Sequence, residues 1–188
     1  MRHGEPEARG ICYGSLDVPL SEQGREQMRR SAVHLKDESL PAIYTSPLSR
    51  ARDSAELIGG ASIYVVPAFS EMNFGAFEGL SFSEIEERYP ELYSHWMAAP
   101  TEVRFPGGES FPEMKSRVLA AFDEIRARHD GETIAIVSHA GVNRILIAWA
   151  LGIADAHVFR IGQDYACLNQ ITIIDGFPIL NLLNQNKA

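Results

Sequence analysis

Two histidines, two arginines and a glutamate, drawn from four separate segments, form a set whose side chains suit one kind of chemistry. Arg2 and His3 belong to the run Arg-His-Gly-Glu at residues 2–5. Arg50 follows the sequence Thr-Ser-Pro-Leu-Ser, Glu71 lies in a stretch rich in glycine and aromatics, and His139 follows an apolar run. Arginine forks are rigid, permanently charged and matched to phosphate oxygens. A neutral histidine can act as a nucleophile and form a covalent intermediate. A second, protonated histidine can hold the charge that develops on a transferred group. A carboxylic acid can protonate a departing alkoxide. Together these are parts for phosphoryl transfer by positioning and electrostatics, without a mandatory metal.

Each residue alone has a plainer reading. A histidine after a strand is more often structural than catalytic. Arg50 and Arg52 can be exposed helix residues, and Glu5 can orient its loop by accepting backbone hydrogen bonds. Glu71 is one of 25 acidic side chains. His3 and His139 can pair around a metal, but no Asp or Cys nearby completes a ligand set and the flanking arginines repel a cation. What outweighs these readings is the joint pattern.

The elements that must carry these residues alternate along the chain. Ser21 to about Asp37 predicts a helix, with Met28, Ala32 and Leu35 along one face. Ala42–Ser46 predicts a short strand, Ser49–Ile58 a helix closed by Gly59-Gly60, and Ser62–Val66 a strand. Residues 67–82 read as loop. Ser83 with Glu86 offers a capping box for a helix running towards Tyr89, and Ser110 with Glu113 offers another for a long helix. That long helix carries the apolar stripe Phe111, Met114, Val118, Phe122 and Ile125. Thr133–His139 is nearly all apolar, as a strand buried on both faces should be. Gly141–Leu151 predicts a helix, and two final strands meet at Asp175-Gly176. This alternation predicts an α/β fold with a mostly parallel sheet and helices on both faces. Ligands in such sheets bind beyond the carboxyl ends of the strands, where the five residues would gather.

The bulk properties fit that picture. The chain has 188 residues, expected to form one domain over 1–188, with 45% hydrophobic and 22% charged residues. A net charge of −8 argues against a nucleic-acid surface. Cys12 and Cys167 are too few for a disulfide framework. No apolar run has membrane-spanning length, and Arg2, His3 and Glu5 stand where a signal peptide would turn apolar. The expectation is a soluble cytoplasmic protein with no membrane or nucleic-acid partner.

Four motifs carry a resemblance: RHGE at 2–5, TSPLSRARDSAEL at 45–57, SEMNFGAFEGLSFSEI at 70–85 and IVSHAGVNRIL at 136–146. In this order and spacing they resemble the histidine phosphatase, or phosphoglycerate mutase-like, superfamily. The resemblance implies a three-layer α/β/α sandwich and no metal or other cofactor. It implies His3 as the nucleophile, Arg2 and Arg50 as phosphate clamps, His139 as the second phosphate-binding histidine and Glu71 as proton donor. The substrate would be a small-molecule phosphate ester. GICYGSLDVPLSEQG at 10–24 and FPGGES at 105–110 are similar to the α-ribazole phosphatases of cobalamin biosynthesis. A phosphatase of broader specificity, a mutase-type enzyme and a non-catalytic phospholigand-binding domain are the alternatives. Tyr13, Phe74, Phe77 and Trp96 can line an apolar pocket for a base or belong to the core.

Two departures stand out. Many members carry an Asn shortly after RHGE that touches the phosphate. Here Pro6–Gly10 has none, which leaves Arg9 or Ser15 to contribute. Members also have a buried apolar strand ahead of RHGE, and this chain offers only Met1 there. The expectation is therefore of a missing first strand. Three explanations are open: a start at a methionine internal to the natural protein, another segment in the slot, or a gap; the first is favoured, because MRHGE reads as the last residue of the strand followed by its loop. A further expectation is that His3 is poorly positioned and activity low.

Overall fold

The computed structural model describes residues 1–186. Its elements, in chain order, are α1 (Glu22–Ala32), β1 (Ala42–Thr45), α2 (Ser49–Ile58), β2 (Ser62–Val65), α3 (Phe82–Arg88), α4 (Pro90–Ala98), α5 (Phe111–Arg126), β3 (Ala135–Val137), α6 (Ala140–Leu151), β4 (Leu168–Ile174) and β5 (Phe177–Gln185). The strands β2-β1-β3 form a parallel sheet, and β4-β5 is an antiparallel hairpin turning at Asp175-Gly176.

Alternation along β1 divides the core. Ile43 packs with Ala55 of α2 and with Ala135 and Val137 of β3. Ala42 and Tyr44 face the other way and join the cluster that holds Phe122 and Ile125 of α5 and Leu146 of α6. All four β1 residues are buried, as a strand covered by helices on both faces must be. The result is the expected α/β architecture with a helical layer on each side. No described helix is long and apolar enough to cross a membrane.

Several local expectations shift. The capping box lies two residues earlier, at Ser81 and Glu84. Ser81 bridges to Ile11, and Cys12 N–H donates to the Leu80 carbonyl at 2.7 Å, so Ser81 is still extended and the helix starts after it. Helix α4 was not expected. Pro90 ends α3 but also starts α4, because a helix's first residue needs no amide hydrogen. Ser110 and Glu113 cap α5 as the sequence predicts.

The sheet is also less continuous than expected. Met1–His3 run beside the end of β3: Ser138 N–H donates to the Met1 carbonyl at 3.0 Å and His3 N–H to the Ser138 carbonyl at 2.9 Å. On their other side, Arg2 N–H donates to the Cys167 carbonyl at 3.1 Å and Ala166 N–H to the His3 carbonyl at 3.0 Å. These residues are thus the upper end of a strand position between β3 and the hairpin. Below Met1 that position is open. A cavity of about 820 Å³ lies there, with Leu35, Phe122, Ile136, Leu146, Leu168 and Ile171 among its lining.

An apolar extension of about five residues ahead of Met1 is expected to fill this space. Each large side chain it buries contributes ~1.5–3 kcal/mol, and each kcal/mol moves Tm by about 2–4 °C in a chain of this size. Thermal unfolding should rise by about 10 °C or more. Equal melting temperatures with and without the extension would show that the cavity does not accept a strand.

Candidate active site

The open slot stops short of His3. Its backbone is held on both sides, it is only 2% exposed, and its ring is fixed by the Gly4 carbonyl 2.6 Å from Nδ1. This corrects the expectation of a poorly positioned His3: main-chain pairing above the cavity suffices to hold it. Because a carbonyl can only accept, Nδ1 carries the proton and donates, which leaves the Nε2 lone pair free. Burial, then the charges of Arg2 and Arg50, hold the His3 pKa well below its usual value, so the ring is neutral at pH 7.

His139 caps the start of α6, directly beyond β3. Its ring lies 5.1 Å from that of His3, centroid to centroid, in an edge-on arrangement. Nε2 is 2.8 Å from the Ser46 hydroxyl, which also accepts from Leu48 N–H; with the Ser46 proton assigned to Nε2, the ring proton of His139 is on Nδ1. Nδ1 is buried and has no partner. Burial, then the nearby His3 and Arg50, also lower the His139 pKa well below the ordinary range.

Arg50 is fully buried in the first turn of α2. Its Nη1 donates to the Leu16 carbonyl at 2.9 Å and its Nη2 to the Gly14 carbonyl at 2.5 Å. Arg2 Nη1 donates to the Gln163 carbonyl at 2.5 Å, and its guanidinium lies 3.9 Å over the Tyr165 ring. The Nε atoms of Arg2 and Arg50 are both buried without partners. Among the described residues, the only buried side-chain nitrogens or oxygens without partners are therefore Arg2 Nε, Arg50 Nε and His139 Nδ1. A buried donor without a partner costs about 1–3 kcal/mol, so three around one histidine form a cradle that an anion would satisfy.

Glu71 closes the site from the side of α6. Its Oε2 accepts from Gly141 N–H at 3.0 Å and its Oε1 from Met72 N–H at 2.9 Å. A Cβ at residue 141 would stand 2.3 Å from Glu71 Oε1, so only glycine lets the carboxylate come this close. All five expected residues thus meet at the carboxyl ends of the strands.

Other expectations fare differently. Arg9 is exposed and pairs with Glu5 at 2.7 Å, while the Ser15 hydroxyl donates to Glu78 at 3.0 Å, so neither replaces the absent Asn. Phe74, Phe77 and Trp96 pack with Phe105 in an aromatic cluster of the core. Tyr13 does reach the site: its ring lies 5.4 Å from the Arg50 guanidinium and its hydroxyl 2.7 Å from that of Tyr165. The sequence reading missed Tyr165, whose segment carries no periodic signal.

The model of the histidine phosphatase superfamily, branch 1, matches residues 1–186. The chain belongs to that superfamily. Phosphoserine phosphatase 1 of Hydrogenobacter thermophilus is 32% identical to it, over 98% of this chain and 90% of the relative. The adenosylcobalamin/α-ribazole phosphatase of Salmonella typhimurium is 30% identical, over 100% and 96%. The crystal structure of the α-ribazole phosphatase from Shigella flexneri aligns with a TM-score of 0.90 at 29% identity, over 98% of this chain and 94% of that one. As a histidine phosphatase, this chain must bind a phosphate ester, and the cradle around His3 has the charge and donors to do so.

Proposed function

We propose that this protein hydrolyses phosphomonoesters through a phosphohistidine at His3. The observation that carries the reading is the set of three buried, unpartnered donors of Arg2, Arg50 and His139 around a neutral histidine. The substrate phosphate docks on those donors. His3 Nε2 attacks phosphorus in line, the P–O bond to the alcohol breaks, and Glu71 gives its proton to the leaving oxygen. A water then attacks the phosphohistidine and loses its proton to Glu71, which releases inorganic phosphate and restores both residues. The Gly141 and Met72 N–H groups hold the Glu71 carboxyl in place, which supports this role.

For the alcohol half we propose α-ribazole, the nucleoside of the cobalamin nucleotide loop, with the reaction taking place in the cytoplasm. The Salmonella and Shigella relatives support this, as does the aromatic pair Tyr13–Tyr165 at the site, against which a flat base can lie. One observation favours a second reading. Arg144 stands one turn along α6 from Gly141, with Nε donating to the Ile161 carbonyl at 3.0 Å and no carboxylate partner among the described residues. Burial lowers its pKa, and it feels the charges of Glu71 and Arg2 at the site. A free guanidinium fork there suits a substrate with its own carboxylate, such as the phosphoserine of the Hydrogenobacter relative's name.

Phosphate release from α-ribazole 5′-phosphate, O-phosphoserine and 3-phosphoglycerate compares the readings. The first should give the highest kcat/KM. Preference for phosphoserine, lost in Arg144→Ala, would favour the second reading. Transfer between hydroxyls without phosphate release would point to a mutase.

A further inference from the structure

Glu78 touches none of the five site residues by hydrogen bond, yet its carboxylate is the most heavily used acceptor near them. Oε2 accepts from Gly14 N–H at 2.9 Å and Leu16 N–H at 3.1 Å. Oε1 accepts from Ser15 N–H at 2.8 Å, Ser15 Oγ at 3.0 Å and Phe74 N–H at 3.0 Å. Three successive backbone N–H groups converging on one anion form a nest.

Two of these three residues also face Arg50. The carbonyls of Gly14 and Leu16 accept from its two terminal nitrogens. Loop 14–16 therefore lies between a carboxylate and a guanidinium, with N–H groups turned to one and carbonyls to the other. Two of the three guanidinium nitrogens are fixed by this loop, which decides where the third, Nε, points. That third nitrogen is the buried one without a partner.

Two further contacts leave the loop little freedom. A Cβ at residue 14 would lie 1.8 Å from the Met72 carbonyl oxygen, so the loop is pressed against the segment that carries Glu71. Asp17 Oδ1 accepts from Ser49 N–H and Ser49 Oγ, both at 2.8 Å, which ties the loop's far end to the residue before Arg50.

We infer that Glu78 is a positioning residue: it aims Arg50 at the substrate phosphate by holding the Gly14–Leu16 carbonyls in place. The inference rests on the reading of Arg50 as a phosphate clamp. An amide at 78 presents one oxygen and one NH₂ group, so it cannot accept all five bonds, and its NH₂ opposes backbone donors. Aspartate keeps the charge at shorter reach.

The test is a double-mutant cycle with Glu78→Gln and Arg50→Ala, read by competitive inhibition with inorganic phosphate and by kcat/KM on an aryl phosphate. Glu78→Gln should weaken phosphate binding about tenfold or more, and Glu78→Asp should recover part of the loss. The double variant should be no worse than Arg50→Ala alone, because both changes remove one function. Rate dependence on leaving-group pKa should keep its wild-type slope, since Glu71 is untouched. Losses that add, or a lower Tm with unchanged phosphate affinity, would reduce Glu78 to a structural role and overturn the inference. If Arg50→Ala alone leaves phosphate affinity unchanged, the clamp reading fails and the inference falls with it, and that arm identifies which premise was wrong.

Discussion

Replacing His3 with alanine is expected to abolish both turnover and the phosphoenzyme. The site has no obvious substitute nucleophile: Ser46 Oγ is engaged by His139 and Leu48, and His139 Nε2 is engaged by Ser46. His139 also has a free ring nitrogen, but with Ser46 donating to Nε2 that Nδ1 carries the proton, whereas the free Nε2 of His3, fixed in aim by the Gly4 carbonyl, holds a lone pair. Removing a nucleophile from a preorganised site costs on the order of 10⁴-fold or more, the remainder coming from binding. Wild-type protein quenched in alkali after mixing with labelled substrate should retain label on His3, and acid should release it, because a phosphoramidate is stable to base and labile to acid. The lowered pKa adds a pH signature. A neutral His3 is the reactive form, so kcat/KM should not fall through protonation of the free imidazole near pH 6.5, and any acid limb should lie below it. Near-normal turnover in His3→Ala, or label found elsewhere, would move the nucleophile to another residue.

The parts of this site that were legible in the sequence share a physical cause. Arg2, His3, Arg50 and His139 each sit at the end of an extended segment or in the first turn of the following helix, and α/β topology brings such positions together. Glu71 was legible through its place in the loop beyond the 62–66 strand and through its motif, since its loop has no periodicity. Glu78 lies inside the 70–85 motif without being singled out by it, and Tyr165 was not legible at all. Both act across long sequence separations, Glu78 on residues 14–16 and Tyr165 on Arg2 and Tyr13, and no local periodicity shows what either one holds. The capping box shows the same limit at short range. Ser81-Glu84 and Ser83-Glu86 have identical spacing, and a pairing with Ile11, seventy residues away, decides between them. Among the aromatics, composition could not separate Tyr13 from Phe74, Phe77 and Trp96. A hydroxyl with a partner marks the one at the site, and the apolar rings pack against one another.

Glu71→Gln separates proton transfer from phosphate binding: the amide keeps the shape, and its single oxygen keeps one of the two backbone bonds, from Gly141 or Met72, while its NH₂ faces the other N–H. What it loses is the proton. Loss of a general acid–base group costs about 10²–10⁴ in rate. That loss should be unequal across substrates. An alkyl alkoxide, such as a ribose 5′-oxygen, cannot leave without a proton, so phosphorylation of His3 should slow by the full amount. A p-nitrophenolate leaves unaided, so its departure should be almost unchanged. Hydrolysis of the phosphohistidine then becomes the slow step, because water has lost its base. Glu71→Gln given p-nitrophenyl phosphate should therefore release one equivalent of nitrophenol in a burst and accumulate phosphohistidine, whereas an alkyl phosphate should give no burst. Phosphate affinity should change little, since Arg2, Arg50 and His139 supply the cradle. An equal loss for both leaving groups with no burst would mean that Glu71 moves no proton, and that its contact with Gly141 serves only to seat α6 against the site.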